Sequence, residues 1–219
     1  MGQSDRLAAA GDRFFRIKCA IILSMLFDAS NWKDHGKQPD GAWLWQTPTG
    51  DEVVLYYFNR PPDIKPCSSA AELHEFYEAA MAGSAGTLVE FTVDRFAGHQ
   101  CILLLQRFPQ KPTGIGFDYK CTIPFRDFSF VIQVHSREWG ITGLRETELA
   151  MRRMQAGEKP AIATGGPMFP DWEPYSARFD EDFPSHPVSR ARRVMKGILD
   201  SARLDPRFGD RPAFPLPEK

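Results

Sequence analysis

Cysteine is scarce in this chain of 219 residues, which holds only Cys19, Cys67, Cys101 and Cys121. No two of them form a C-x-x-C pair, and no histidine stands at ligand spacing beside them, which argues against a structural zinc site. Cys101 and Cys121 lie in apolar runs, where a thiol behaves as a small hydrophobic side chain. We therefore expect reduced thiols and a cytoplasmic protein.

Long apolar runs are missing as well. The stretch KCAIILSMLF at residues 18–27 falls well short of the roughly 20 apolar residues that a membrane-spanning helix needs. The sequence thus predicts no membrane span, and residues 1–24 are interpreted as an N-terminal extension. The alternative is an exported protein in which residues 1–30 act as a signal peptide, although FDASNW is a poor cleavage site.

Neither sign of charge is in excess, because 27 Lys and Arg residues face 28 Asp and Glu residues and the formal net charge is −1. This balance gives no electrostatic reason to expect nucleic acid or an anionic membrane as a partner. The basic run RARR is interpreted as the solvated outer face of a helix. Its residues, with a neighbouring lysine, are Arg190, Arg192, Arg193 and Lys196.

Recognised catalytic motifs are absent, since the sequence has no G-x-S-x-G, P-loop, G-x-G-x-x-G or H-E-x-x-H pattern. His135, Ser136, Arg137 and Glu138 do follow one another after a strand-like run. Neighbouring strand residues point to opposite faces, so His135 and Ser136 diverge. We predict a solvated strand end. The alternative left open is a hydrolase with an unrecognised site at the end of the 128–135 strand, using His135 with a carboxylate.

The elements that are present predict an α+β protein. Alternating or β-branched runs predict strands at 42–46, 52–58, 87–96, 100–108, 117–123 and 128–134. Apolar residues at helical spacing predict helices at 69–83, 142–157 and 187–203. The apolar edge of the second helix is expected to comprise Leu144, Glu148, Met151 and Met154. This order of elements indicates an antiparallel β-sheet with packed helices.

The last third of the chain is rich in proline but also in large aromatic residues. Between 158 and 187 these are Phe169, Trp172, Tyr175, Phe179 and Phe183. Side chains of this size need something to pack on. The helix that follows has its own apolar stripe, with Val194 and Ile198 expected to face inward. We therefore predict a single domain at 25–203, with this irregular segment and helix wrapped on the sheet, and a Pro-rich tail at 204–219.

Acidic residues gather before the last helix, where Asp180, Glu181 and Asp182 stand close to His186. Their oxygens could bind a divalent cation. Acidic groups also favour the positive end of a helix dipole, and this structural interpretation is preferred. The sequence accordingly predicts no metal and no cofactor.

Several segments resemble the PsbP-like family: FDASNWKD, GDEVVLYYF, the helix with its capping box at Ser69 and Glu72, and the strands ending in FSFVIQV. That family includes the PsbP subunit of photosystem II, a Ran-binding transport factor and the Eag chaperones of type VI secretion. PFRDFSFVIQV, EWGITGLRE and FPSHPVSRARR also resemble a bacterial protein family. The resemblance implies a PsbP-like fold and a non-catalytic bacterial protein that binds a protein partner, in an accessory or chaperone-like role.

The partner is expected on the less covered face of the sheet or on the aromatic C-terminal segment. The candidate surface residues are Ser129, Val131, Gln133, His135, Phe169, Trp172 and Tyr175. A small-molecule carrier is a further alternative. No residue is assigned a catalytic role, and the oligomeric state is left open.

Overall fold

The computed structural model describes residues 25–161, 168, 169, 171–209 and 211–217, so the expectations for residues 1–24 lie outside the described part of the chain. The strands are β1 Met25–Leu26, β2 Lys33–Lys37, β3 Trp43–Gln46, β4 Glu52–Phe58, β5 Thr87–Phe96, β6 His99–Pro109, β7 Ile115–Pro124, β8 Ser129–Arg137 and β9 Arg203–Leu204. The helices are α1 Ala70–Met81, α2 Leu144–Gln155, α3 Pro187–Ser201 and α4 Pro206–Gly209.

Seven strands form one antiparallel sheet in the order β2-β3-β4-β8-β7-β6-β5. Strands β5 to β8 run as a meander, and the turn between β5 and β6 uses positive φ at Ala97 and Gly98. Strand β8 then pairs with β4, which places Leu55 opposite Ile132. The predicted α+β class, an antiparallel sheet with packed helices, is confirmed. Strand β2 was not predicted, because the segment KDHGK has no apolar alternation.

Helix α3 covers one face of the sheet. Successive strand residues point to opposite faces, so Leu55 and Ile132 lie on this face and both are fully buried. Met195 and Ile198 of α3 are buried in the same core, and Val194 packs at its edge. The inward orientation predicted for Ile198 is therefore confirmed, while Val194 is only partly buried.

Helix α1 covers only part of the opposite face. Its Leu73 is completely buried and packs with Val93 of β5 and Ile102 of β6. The hydroxyl of Ser69 caps this helix by accepting the backbone N–H of Glu72, as the capping box predicts. The remaining part of this face is called the open sheet face. Its main residues are Tyr56, Asp118, Val131, Gln133 and His135.

The last third of the chain packs against the rest. Phe169 is completely buried, and Tyr175 packs in one cluster with Phe117 of β7. The Pro-rich tail also takes part: Leu204 pairs with Met25 in a two-stranded sheet, and Leu216 is buried in the cluster beneath α1. Residues after 203 thus contribute to the packing.

Cys67, Cys101 and Cys121 are free thiols, and Cys19 lies outside the described residues. None of the helices in the described ranges is both long enough and apolar enough to cross a membrane.

Candidate functional site

The loop that follows β8 is held in place by one buried carboxylate. Glu138 is 7% exposed; its Oε2 accepts the backbone N–H of Ile115 at 2.8 Å and its Oε1 that of Gly143 at 3.0 Å. A side chain at Gly114 would collide with this carboxylate, because a Cβ there would lie 3.0 Å from Oε2 and φ is +102°. The prediction that Glu138 is solvated is therefore wrong: the residue closes the loop and bonds the start of α2.

Large apolar side chains project from this loop into solvent. Trp139 is 66% exposed, Ile141 is 75% exposed and Leu144, the first residue of α2, is 57% exposed. We call these three residues the apolar rim. Most large apolar residues of a folded chain are buried, so three neighbouring exceptions define a surface of interest.

The apolar rim continues along the exposed side of α2. The edge predicted to carry Leu144, Met151 and Met154 faces solvent, since Met151 and Met154 are 45% and 43% exposed. The residues that α2 buries are Arg145, Leu149 and Ala150. The helix has turned its apolar edge outward because Arg145 is bonded to groups inside the protein.

A groove of about 500 Å³ lies beside the apolar rim. Its walls come from the loop after β8, the start of α2 and the segment before α3. Glu138 and His186 belong to its lining, together with Phe183 and Pro184. The groove thus links an exposed apolar surface to buried polar groups.

Two of these polar groups, Glu138 and His186, converge with Glu146 within the protein. The Nε2 atom of His186 lies 3.9 Å from Oε1 of Glu138 and 3.8 Å from Oε1 of Glu146, and the side chains are 7%, 5% and 20% exposed. Burial, followed by the positive charges of Arg145 and Arg190, lowers the pKa of His186 to about 3, so its ring is neutral at neutral pH. We call these three residues the buried Glu–His cluster.

The buried Glu–His cluster is not saturated with hydrogen bonds. Within the described part of the chain, neither Nε2 of His186 nor either carboxylate oxygen of Glu146 makes a hydrogen bond of good geometry, although the Tyr175 hydroxyl approaches Glu146. A buried polar group that lacks a partner costs about 1–3 kcal/mol. The nearby Tyr175 hydroxyl has a raised pKa, mainly because it is buried and secondly because of the charge of Glu146.

The arginines around the cluster are structural, which corrects the predicted basic outer face. Arg190 donates to both carboxylate oxygens of Asp51 and is only 8% exposed. Arg192 pairs with Glu90 at 2.5 Å and with Asp180 at 2.8 Å. Two of the four predicted surface cations are thus largely buried in ion pairs, because the helix packs against the sheet on their side.

The acidic residues before α3 do not form the cation site considered from the sequence. Asp180 accepts from Arg145 and Arg192, and Asp182 pairs with Arg152. His186 of that set caps α3, with Nδ1 accepting the N–H of Val188 at 3.3 Å. Its other nitrogen faces Glu138 and Glu146, whose approach no local sequence pattern indicates.

On the open sheet face, His135 pairs with a carboxylate that sequence reasoning did not identify. Its Nδ1 lies 2.6 Å from Oδ1 of Asp118, a residue on the neighbouring strand β7. The other oxygen of Asp118 accepts from Gln106 and Gln133. Ser136 is completely buried on the opposite face, so His135 and Ser136 do diverge as predicted.

Burial restricts the candidate partner surface. Phe169, Tyr175 and Ser129 are 0%, 9% and 5% exposed, so these three side chains cannot present a surface to a partner in this conformation. The other members, Val131, Gln133, His135 and Trp172, are half-buried. None of the seven is as exposed as the apolar rim.

A wide cleft of about 1060 Å³ lies between α3 and β5. Its lining mixes apolar side chains with acidic and basic groups, including Glu90 and Arg192, which already bond each other. A carrier pocket is expected to be largely apolar with a few convergent polar groups. The mixed lining of this cleft gives the small-molecule alternative little support.

No protein-family model matches this chain. No curated protein matches its sequence. Among solved structures, the chain is similar to the Ran-binding protein Mog1p of Saccharomyces cerevisiae, with 8% sequence identity and a TM-score of 0.43. The match covers 84% of this chain and 92% of that chain. At this level of similarity, neither a family nor a Ran-binding activity follows for this chain.

Proposed function

We propose that this chain is a non-catalytic protein that binds a protein partner through the apolar rim. The observation that carries the proposal is the exposure of Trp139, Ile141 and Leu144, at 66%, 75% and 57%, on one short loop and the helix start after it. Exposed apolar patches of this kind mark interaction sites. Tryptophan in particular is enriched among the residues that dominate binding energy.

The loop that carries the apolar rim is preorganised for binding. Glu138 bonds the backbone N–H groups of Ile115 and Gly143, and its own carbonyl accepts Nε2 of Gln110 at 3.3 Å. A loop that is already ordered loses less conformational entropy when a partner binds. We therefore infer that Trp139 enters an apolar pocket of the partner with little rearrangement.

A protein is favoured over a lipid surface as the occupant. Apolar loops that insert into membranes are usually accompanied by basic residues that attract anionic headgroups. The net charge here is −1, and three neighbouring arginines, Arg145, Arg190 and Arg192, are bound in ion pairs. Bacterial origin, a cytoplasmic location and an accessory or chaperone-like role belong to the same proposal, based on the resemblance described above.

The experiment is site-specific photo-crosslinking with the full chain in a lysate of its source cell. A photoreactive residue replaces Ile141, and a second chain carries it at Arg95, an exposed position on β5. A protein crosslinked from position 141 and not from 95 is then purified. Its Kd is measured for the unsubstituted chain, for Trp139→Ala, and for Phe58→Ala as a control on a different part of the surface.

We expect Trp139→Ala to weaken binding at least about tenfold, since such anchors contribute 2 kcal/mol or more. Phe58→Ala should leave Kd unchanged. The reverse pattern would assign binding to the open sheet face, near Val131 and Phe58. Flotation with phosphatidylcholine vesicles that Trp139→Ala abolishes, without a crosslinked protein, would replace the protein partner by a membrane.

A hydrolase remains the second candidate because of one observation. The 2.6 Å pair of His135 and Asp118 on the open sheet face supplies a base and the carboxylate that orients it. Ser136, the adjacent hydroxyl, is buried on the other face and is not its nucleophile. A panel of ester and phosphoester substrates, assayed with the full chain and with His135→Ala, tests this candidate. Turnover that His135→Ala abolishes while the unfolding midpoint is unchanged would establish it in place of a non-catalytic role.

A further inference from the structure

The buried Glu–His cluster brings together three groups of the kind that ligate metal ions. One ligating atom each of Glu138, Glu146 and His186 lies within 4.8 Å of the other two. The three residues come from distant points of the chain, namely the end of β8, the first turn of α2 and the residue before α3. Their convergence is a product of the tertiary fold.

Structural roles account for only part of this arrangement. The oxygens of Glu138 bond two backbone N–H groups, and Nδ1 of His186 caps α3. These roles leave Nε2 of His186 without a hydrogen bond among the described residues, and Glu146 has only a weak interaction with the Tyr175 hydroxyl. The side chain of His186 is only 7% exposed, and its Nε2 faces the two carboxylates. A positively charged centre between these groups would give each of them a partner.

We propose that Glu138, Glu146 and His186 bind a divalent first-row transition-metal ion, with Zn²⁺ the best match. An imidazole nitrogen favours such ions over Mg²⁺ and Ca²⁺, which prefer sites made of oxygen alone. One imidazole and two carboxylates are ligands that Zn²⁺ accepts at about 2.0–2.2 Å, which places neighbouring ligand atoms roughly 3.4 Å apart. The separations of 3.8 and 3.9 Å from Nε2 need to shrink by a few tenths of an ångström, and the two carboxylates, which lie within 4.8 Å of each other, have to move closer as well.

Binding of a divalent ion is consistent with the charges and protons of the buried Glu–His cluster. The neighbouring cations Arg145 and Arg190 bond Asp180 and Asp51, and neither forms an ion pair with Glu146. A divalent ion offsets the two carboxylates of the cluster. The neutral ring of His186 carries its proton on Nε2 while Nδ1 accepts from Val188. Binding moves that proton to Nδ1 and breaks this 3.3 Å capping bond, which is long for a hydrogen bond.

Solvent can reach the site through the groove beside the apolar rim, because Glu138 and His186 both line it. Three protein ligands leave at least one coordination position for water. The inference goes beyond the proposed function, since it concerns the interior of the groove and does not require a partner. Trp139→Ala should therefore bind metal as well as the unsubstituted chain does.

The test is calorimetric titration of Zn²⁺ into the full, tag-free chain after EDTA treatment and dialysis, with a phosphine reductant present. We expect one ion per chain. Glu146→Gln preserves the shape of the side chain and removes its charge, so it should weaken binding at least tenfold. The matched control is Glu148→Gln on the same helix, where the side chain is 48% exposed and pairs with Arg152. It should bind as tightly as the unsubstituted chain.

A second variant separates ligation from capping. His186→Asn keeps a side chain that caps helices well but removes Nε2, so the chain should fold and still lose at least tenfold in affinity. Zn²⁺ should raise the unfolding midpoint of the unsubstituted chain and of Glu148→Gln, and leave that of Glu146→Gln and His186→Asn unchanged. Absence of stoichiometric binding overturns the proposal. Equal binding by Glu146→Gln and Glu148→Gln also overturns it and indicates an adventitious ion only, for instance at Cys67. Tighter binding of Ca²⁺ or Mg²⁺ than of Zn²⁺ overturns the assigned class of ion.

Discussion

Helices α2 and α3 are both amphipathic in sequence, but α3 buries its apolar stripe and α2 exposes it. Helix α3 buries its apolar stripe against the sheet, with Met195 and Ile198 completely inaccessible. Helix α2 exposes Leu144 and Met151 and buries Arg145, whose guanidinium is 0% exposed. The comparison shows that the position of a buried arginine on a helix matters: α3 buries Arg190 together with its apolar stripe, whereas Arg145 lies on the side of α2 away from its apolar edge.

The anchor on α2 is the set of hydrogen bonds that Arg145 makes. It donates to the carbonyl oxygens of Pro174 and Ser176, to Oδ1 of Asp180 and to Oγ of Ser189. Burial is the main cause that lowers the pKa of this arginine, and its bond to Asp180 opposes the effect. These contacts hold α2 against the segment before α3 and leave its apolar edge for the surface.

The largest effect is expected when α3 is removed. A chain that ends at residue 157 lacks the helix that covers Leu55 and Ile132, so a large apolar face becomes exposed. We expect a product without a cooperative urea transition and with increased binding of a hydrophobic dye. If this shorter chain instead unfolds as cooperatively as the full one, α3 is not part of a single domain, and the comparison with α2 fails.

The next largest effect is expected at Arg145. Arg145→Ala leaves the carbonyl oxygens of Pro174 and Ser176 without this donor inside the protein, and it removes one of the two arginines that bond Asp180. Breaking a buried ion pair from one side costs about 3–5 kcal/mol, measured as the free energy of unfolding in urea. Arg152→Ala on the same helix is the control, because Arg152 is 48% exposed and its loss should cost less than about 1 kcal/mol. Similar losses of unfolding free energy in the two variants would show that Arg145 does not anchor α2.

A pair of apolar substitutions measures the orientation of α2 directly. Leu149 is 5% exposed, so Leu149→Ala should lower the free energy of unfolding by about 2–4 kcal/mol. Met151, two residues further on, is 45% exposed, and Met151→Ala should change the free energy of unfolding by no more than about 0.5 kcal/mol. The opposite ranking would mean that α2 packs through the edge that its sequence favours.

A smaller effect is expected on α3, where the sequence places Arg192 on the solvated side. Its guanidinium in fact bonds Glu90, Asp180 and the carbonyl oxygen of Tyr175. Arg192→Ala should cost about 1.5–3 kcal/mol of unfolding free energy, as for the loss of charged hydrogen bonds. Arg193→Ala is the control, since Arg193 is exposed and should contribute within about 0.5 kcal/mol. Equal changes of unfolding free energy in the two variants would indicate that both arginines lie on a solvated basic face.

The regular elements could be predicted because their signals are local. Helices expected at 69–83, 142–157 and 187–203 are present at Ala70–Met81, Leu144–Gln155 and Pro187–Ser201. The alternation in β8 correctly separates His135 from the buried Ser136. Caps and alternation act between residues a few positions apart, so a single sequence displays them.

The candidate site could be predicted only in part. His135 and His186 were both singled out, but their carboxylate neighbours were not, because Asp118, Glu138 and Glu146 reach them across strands or loops. The apolar rim was missed for a related reason. Nothing in the sequence near Trp139 shows that this side chain lies outside the core, and Glu138 was taken to be the solvated residue instead.

The sequence by itself determined the secondary structure, the alternation of the sheet faces and the inward stripe of α3, since each depends on short-range periodicity. Only the tertiary structure decided which edge of α2 faces solvent and which carboxylates meet His186. Those outcomes depend on burying charged groups together with their partners, at distances along the chain of up to 139 residues for Asp51 and Arg190. The energy of such a pair depends on its surroundings in the folded protein, and no local pattern encodes those surroundings.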